Sequence, residues 1–129
     1  MGYSNSVSNF GVNIIAFLFA FLFTGCGKIE LNNEEKIKQH LKEHTFEYGD
    51  RKNNMTSFMQ FKESSCELII FLNGKEFTSK NYSYSLGEFN FDKRLINIEE
   101  NEGSWGIKED GNLYLWNKGE LFIYRHVKL

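Results

Sequence analysis

From Phe46 to the C-terminus, apolar and polar residues alternate in short runs that are separated by turn signals. The clearest alternation is Tyr-Ser-Tyr-Ser-Leu at 82–86, and Phe-Asn-Phe follows at 89–91. A period of two places successive side chains on opposite faces of a strand. Polar residues followed by glycine, which suit tight turns, stand between such runs at Asn73-Gly74, Asp110-Gly111 and Asn117-Lys118-Gly119. This pattern predicts seven or eight short antiparallel strands in a meander.

The aromatic content favours the same fold class. The chain has 13 Phe, 6 Tyr and 2 Trp among 129 residues, and aromatic side chains suit the half-buried faces of sheets. A meander of this many strands leaves two exposed edges unless it curls and closes. We therefore predict a mainly β domain, a small antiparallel barrel or half-barrel, with one short N-terminal helix covering an end or a face.

The predicted helix covers 34–44 and reads EEKIKQHLKEH, with acids first, bases later, and apolar Ile37 and Leu41 four residues apart. His40 to His44 spell H-x-x-E-H, a spacing that lets two imidazoles on one helix face bind Zn²⁺. No second long helix follows that would supply a third ligand and a substrate cleft. We therefore expect His40 and His44 to border the packing face of the helix, with no metal and no cofactor.

The N-terminal segment differs sharply from the rest of the chain. Residues 1–25 contain no Asp, Glu, Lys or Arg, whereas all 15 basic and 17 acidic residues follow. The run Ile14 to Phe23 has ten apolar residues, too few for a bilayer that needs about 20. An apolar run of this length before small residues is typical of a secretory signal peptide. The alternative is a short buried segment with an ordinary cysteine.

Thr24-Gly25-Cys26 ends this segment and resembles a bacterial lipobox. The resemblance implies a lipoprotein signal peptide at 1–25, diacylglycerol on the Cys26 thiol, and a polar tether at 26–33 before a domain at 34–129. It also implies anchorage in the cell envelope, at the outer membrane of a Gram-negative bacterium, because Gly27 is not the aspartate of an inner-membrane retention signal. Two or three acyl chains hold a small domain firmly, since each buried methylene contributes about 0.8 kcal/mol.

Residues 34–129 resemble small lipocalin-like lipoproteins of Gram-negative bacteria. The resemblance lies in the order of lipobox, tether, helix and meander, closing in the strand Asp110 to Leu115 and a final Tyr-Arg strand. It implies a non-catalytic barrel that binds a small apolar ligand or a protein partner. In such a barrel we expect one wall of the interior to be formed by four aromatic residues, Tyr82, Tyr84, Phe89 and Phe91.

The stretch Tyr114 to Tyr124, YLWNKGELFIY, resembles part of the membrane-bound inhibitors of C-type lysozyme. That resemblance implies that the ammonium group of Lys118 enters the acidic cleft of the enzyme and pairs with its carboxylates. The alternative is that Lys118 is an ordinary turn residue, for which Asn-Lys-Gly is suitable chemistry. Inhibition of lysozyme is therefore the second functional hypothesis.

Several function classes are disfavoured. A net charge of −2 at pH 7 gives no basic excess for binding nucleic acid. Cys66 begins an apolar strand, which favours an inert buried thiol, and His126 has no Ser or Cys partner nearby in sequence. Five acidic residues lie near predicted turns, and their spacing is not that of a calcium-binding loop. We expect them to be solvated side chains at the ends of hairpins. They are Glu99, Glu100, Glu102, Glu109 and Asp110. We therefore expect a binding domain and not an enzyme.

Overall fold

The structure is a computed structural model that describes residues 28–129. The predicted signal peptide and Cys26 lie outside these residues. The described chain contains one helix, α1 (Glu34–Glu43), followed by eight strands. The strands are β1 (His44–Asp50), β2 (Met55–Phe61), β3 (Ser65–Leu72), β4 (Lys75–Asn90), β5 (Lys93–Ile98), β6 (Ser104–Lys108), β7 (Leu113–Asn117) and β8 (Glu120–Lys128).

The eight strands form a closed antiparallel barrel in sequence order, and β8 pairs with β1 to complete it. The predicted fold class, mainly β with one short helix before an antiparallel barrel, is confirmed. The architecture is compatible with a lipocalin-like fold. Among residues 28–129, no helix combines the length and the apolar composition needed to span a membrane.

Helix α1 follows local sequence rules. The side chain of Asn33 caps it by accepting a hydrogen bond from the backbone N–H of Lys36 at 3.2 Å, and Glu34 and Glu35 in the first turn suit the positive end of the helix dipole. Ile37 and Leu41 are fully buried. The apolar stripe of the helix therefore closes one end of the barrel.

The antiparallel order defines two ends of the barrel. The end that α1 covers, which we call the helix end, also carries the turns at 62–64, 91–92 and 109–112. The opposite end, which we call the far end, carries the turns at 51–54, 73–74, 99–103 and 118–119. Lys118 and the helix therefore lie at opposite ends.

The barrel interior is packed with side chains from every strand and from the helix. Phe46, Met59, Ile107 and Leu113 are fully buried. Burying one such side chain contributes about 1.5–3 kcal/mol relative to leaving it in water. Aromatic rings meet edge to face inside the core, as in the Phe46–Phe61 pair with ring centroids 5.7 Å apart. Interior packing of this kind is expected for a small eight-stranded barrel.

Tyr82 and Tyr84 lie where the alternation predicts. Tyr84 is buried and donates a hydrogen bond to the Lys62 carbonyl at 2.8 Å, while Tyr82 is half-buried against the core. Phe89 and Phe91 do not line the interior, because their side chains are 54% and 88% exposed. This corrects our expectation of a four-residue aromatic wall.

The two tyrosines and the two phenylalanines are out of phase along β4. Counted from Tyr84, a period of two reaches Leu86 and then residue 88, not Phe89, and the register against β5 shifts between Leu86 and Phe89, close to the end of the strand. Beyond the shift, Phe89 pairs with Arg94, which is buried and donates a hydrogen bond to the Leu31 carbonyl at 3.1 Å. Phe91 then falls in the turn between β4 and β5.

Residues 28–33, which we expected to belong to a polar tether, lie against the barrel. Leu31 is buried in the core and Ile29 packs on it. The backbone N–H of Ile29 donates to the Glu109 carbonyl at 3.0 Å. The chain therefore already packs on the barrel at Ile29, five residues before helix α1 begins.

Candidate functional site

Along the seam between β1 and β8, the ladder stops well before the two strands end. These strands pair through four residue pairs, from His44 with Lys128 to Glu47 with Arg125. On their other sides the pairing is longer, since β1 pairs with β2 as far as Asp50, and β8 pairs with β7 from Glu120 onward. Towards the far end, the facing edges of β1 and β8 therefore have no ladder between them.

A groove of about 480 Å³ lies along this seam, and we call it the seam groove. It is lined on the β1 side by Glu47, Tyr48 and Gly49, and on the β8 side by Leu121, Ile123, Arg125 and Val127. The β8 residues alternate along the strand, so their side chains share the outer face of the barrel. Leu121 is 48% exposed, and an apolar ridge on a barrel surface is the composition expected of a contact surface.

The barrel core beneath the groove is aromatic. The ring of Tyr48 packs against Phe122 and Tyr124 with centroids 5.4 and 5.7 Å apart. The Tyr124 hydroxyl is hydrogen-bonded to the Ser57 hydroxyl at 3.0 Å, and burial raises the pKa of Tyr124. These contacts hold the inner faces of β1 and β8 together while their edges part.

Gly49 keeps the groove open. A Cβ atom at this position would meet no other atom within 4 Å. Its backbone is paired with Thr56 of β2, and its φ is not in the left-handed region. A larger side chain at Gly49 therefore has space to project into the groove without strain in the strand.

The chemistry of this site is that of an incomplete sheet. A strand edge presents backbone N–H and C=O groups to any segment that can pair with it. Glu47 and Arg125 stand opposite each other where the ladder ends, so the groove offers both charges beside its apolar ridge. An extended chain is the kind of ligand that these backbone edges and the apolar ridge beside them could accept.

Two further grooves lie on the barrel surface. One of about 330 Å³ is lined by Phe58 and Phe71, whose rings meet edge to face, together with Asn54, Thr56 and Gly74. The other, about 240 Å³, lies where β5 and β6 separate near Ile98 and Ser104. Neither of these grooves is lined by Tyr82, Tyr84, Phe89 or Phe91.

All three histidines of the chain meet at the helix end. The ring centroids are 4.2 Å apart for His40 and His44, and 5.2 Å apart for His126 and each of the other two. Sequence reasoning paired His40 with His44 but did not bring His126 to them. That contact depends on barrel closure, which sets Phe46 opposite His126 in the β1–β8 ladder.

Each imidazole is oriented by an oxygen of the protein. His40 Nε2 donates to the Gly111 carbonyl at 2.9 Å, and His44 Nδ1 donates to the His40 carbonyl at 2.8 Å. His126 Nδ1 lies 2.6 Å from the Asn112 Oδ1 atom. Among residues 28–129, no three His, Cys, Asp or Glu side chains are arranged to hold a metal ion.

The environment favours neutral imidazoles. Burial lowers the pKa of His40 to about 4, and the neighbouring His44 and His126 add to this effect, while the Gly111 carbonyl and Glu43 oppose it. Burial also lowers the pKa of His126, with His44 adding to the effect and Asp110 opposing it. His40 and His126 are therefore packed as neutral rings at pH 7.

The remaining candidate residues are separated in space. Lys118 is exposed in the turn between β7 and β8, with φ +52°, as the turn interpretation predicts. Cys66 is buried, and burial raises the pKa of its thiol to about 11, which disfavours the reactive thiolate. The acids at 99–102 lie at the far end, whereas Glu109 and Asp110 lie at the helix end, so they do not form one cluster.

Comparison of the chain with protein-family models, with curated proteins and with solved structures gives no match.

Proposed function

We propose that this chain is a lipid-anchored protein of the bacterial cell envelope whose barrel is a non-catalytic binding domain. We further propose that the seam groove is its binding site and that an extended polypeptide segment is its partner. The observation that carries the proposal is the unpaired stretch of β1 and β8 edges beside the alternating apolar residues of β8. The anchor is supported by the charge-free segment before Cys26 and its resemblance to a lipobox.

The shape of the groove favours a peptide over a compact apolar ligand. The edge of β8 that is not paired with β1 runs from Glu120 to Tyr124, which is about 13 Å at a rise of about 3.3 Å per residue. An extended segment can satisfy backbone groups along this length and place alternate side chains against Leu121 and Ile123. A compact ligand would instead require an interior space, and the core side chains of the barrel occupy that region.

The two charges at the closed end of the groove give a partner a defined register. Glu47 and Arg125 oppose each other across β1 and β8, so a bound strand meets both an anionic and a cationic side chain. Each backbone hydrogen bond contributes about 0.5–1.5 kcal/mol net. Several such bonds together with the apolar ridge would give a specific but reversible interaction.

The anchor is tested by expression of the full chain in a Gram-negative host. The protein should partition with membranes and incorporate a palmitate analogue, and Cys26→Ala should abolish both, because the thiol is the site of acylation. Cys66→Ala is the matched control and should change neither. Persistent labelling of the Cys26→Ala protein would contradict the proposed anchor.

The groove is tested with fluorescein-labelled peptides of about seven residues that alternate Val or Ile with Thr, Lys or Glu. Fluorescence anisotropy with the full chain in detergent micelles should identify peptides that bind. Gly49→Trp should weaken their binding by about tenfold or more, which corresponds to about 1.4 kcal/mol, because the indole fills the groove. The matched control is Thr78→Trp, at an exposed position of β4.

Backbone pairing is tested with the same peptides carrying N-methyl groups at alternate residues. Methylation removes the donors that a β-ladder requires and should abolish binding. Equal binding of methylated and unmethylated peptides, or equal binding by the wild type and Gly49→Trp, would refute strand addition at the seam groove. If no peptide in the set binds the wild-type chain, an extended peptide is not the partner.

A further inference from the structure

Two exposed phenylalanines mark the helix end of the barrel. Phe91 is 88% exposed at the tip of the β4–β5 turn, and Phe89 beside it is 54% exposed. Phe91 also has φ +65°, in the left-handed region that favours glycine and asparagine over a large side chain. A strained, solvent-exposed aromatic residue at a turn tip gains nothing from the core of its own barrel.

Ion pairs and a backbone hydrogen bond connect this turn to the start of the described chain. Asp92 forms an ion pair with Lys108 at 3.3 Å, and the next residue along, Glu109, accepts the backbone hydrogen bond of Ile29 at 3.0 Å. Lys28 lies 3.9 Å from the Glu109 carboxylate. The β4–β5 turn and the N-terminal residues are therefore neighbours at one end of the molecule.

The distance to the acylated residue is short. Cys26 precedes Lys28 by two residues, and two residues span at most about 7 Å. Because Ile29 and Leu31 are packed on the barrel, a lipid on Cys26 has little freedom to stand away from the helix end. A membrane that holds the lipid on Cys26 is then also close to the exposed phenylalanines.

We infer that the helix end rests on the bilayer and that Phe91, with Phe89 beside it, inserts among the lipids. This inference rests on the proposed acylation of Cys26. In this arrangement the lipid anchor and the barrel both contact the membrane. The acyl chains alone leave the barrel free to rotate on the surface, and the inserted aromatic rings fix its orientation. Aromatic side chains suit this position because they partition into the interface between headgroups and acyl chains.

The charges at this end point to a zwitterionic lipid surface. All seven ion pairs among residues 28–129 lie here, including Arg94 with Glu34 at 2.7 Å and Lys42 with Glu63 at 2.7 Å. Because most of the lysines at this end are paired with carboxylates, it presents little basic surface of the kind that anionic lipids attract. Contact through apolar insertion should therefore be insensitive to salt.

The orientation also agrees with the proposed partner site. The open part of the seam groove lies towards the far end of the barrel, where β1 reaches Asp50 and β8 begins at Glu120. With the helix end on the membrane, this part of the groove faces the aqueous space. A peptide can then reach it without competing with lipid.

The test uses the mature lipidated chain in phosphatidylcholine vesicles. Phe91→Cys is labelled with an environment-sensitive nitrobenzoxadiazole group, and lipids carrying a nitroxide on the acyl chain serve as quenchers. The matched control is Phe77→Cys on β4, another exposed phenylalanine, at 68% exposure. The buried Cys66 thiol is protected from the label by its raised pKa, about 11.

The label at 91 should emit at shorter wavelength on vesicles and be quenched by the nitroxide lipids, with little change at high salt. The label at 77 should behave as it does in solution. Equal quenching at both positions, or none at 91 in a protein that carries palmitate and pellets with vesicles, would overturn the inference and leave the anchor intact. A chain without palmitate would refute the anchor, and the inference would fall with it.

Discussion

The three-histidine cluster makes the stability of the barrel dependent on pH in a way that one substitution should remove. The pKa of His40 is about 4 in the folded chain, against 6.5 for an unperturbed histidine. The unfolded chain therefore binds a proton first as the pH falls. The free energy of unfolding should be constant above about pH 6.5 and should decrease as the pH falls towards about 4.

The magnitude follows from the difference between the two pKa values. The full shift corresponds to about 3 kcal/mol at 1.36 kcal/mol per pH unit, and partial exposure of the ring reduces this to about 2 kcal/mol. His126 should add to the effect in the same direction, since burial also lowers its pKa. A loss of this size is a substantial fraction of the total free energy of unfolding of a typical domain, which is about 5–15 kcal/mol.

The assay is denaturant unfolding of the full chain in micelles, repeated from about pH 7.5 to about pH 4.5. His40→Gln removes the titration and retains an amide that can donate to the Gly111 carbonyl, so its stability should decline less with falling pH than that of the wild type. Thr78→Ala, at an exposed position of β4, is the control and should follow the wild type. Parallel pH profiles for wild type and His40→Gln would refute the assigned role of burial.

Three further outcomes follow from the packing and the turns. Phe91→Asn should raise the free energy of unfolding by about 1 kcal/mol, measured by thermal melting, since asparagine tolerates the left-handed conformation; a lower melting temperature would show that Phe91 makes stabilising contacts. Leu41→Ala should cost about 2–5 kcal/mol in chemical denaturation because its side chain is fully buried, and a smaller loss would mean that the helix does not seal the core. The full chain should not inhibit C-type lysozyme in a cell-wall clearing assay. The acids at 99–102 lie at the same end of the barrel as Lys118, and their negative charge would repel the acidic cleft of the enzyme. Stoichiometric inhibition that Lys118→Ala abolishes would establish the inhibitor hypothesis instead.

Strand periodicity was a reliable guide where neighbouring strands keep their register. It predicted the strand at 82–86 and the inward direction of Tyr84, because alternation and burial coincide there. Phe89 is an odd number of residues from Tyr84, so the same period places the two on opposite faces, and they should not have been assigned to one wall. Phe91 was misplaced for a different reason, because a large aromatic residue is an unusual choice for a left-handed turn position.

The features that depend on long-range pairing were beyond sequence reasoning. The charged residues between Lys28 and Asn33 indicated a tether, although Ile29 and Leu31 are the alternating residues that pack on the barrel. The seam groove and the position of His126 both depend on how β1 pairs with β8, and no local pattern determines where that ladder stops. In retrospect, the alternation of Leu121 and Ile123 with Phe122 and Tyr124 was the signal for a strand with apolar side chains on both faces.

The short β1–β8 ladder also determines how the chain must fold. Its partners are separated by about 80 residues, and closing a loop of this length costs about 4 kcal/mol plus a constant. Local hairpins can form earlier because their partners are adjacent in sequence. The histidine cluster and the hydrogen bond from Leu129 to the Glu43 carbonyl reinforce this late junction. A nascent chain that lacks its last strand therefore remains an open sheet with unpaired edges. Such edges can pair with other chains, so the time before the C-terminal strand is synthesised is the period in which the chain is most prone to aggregate.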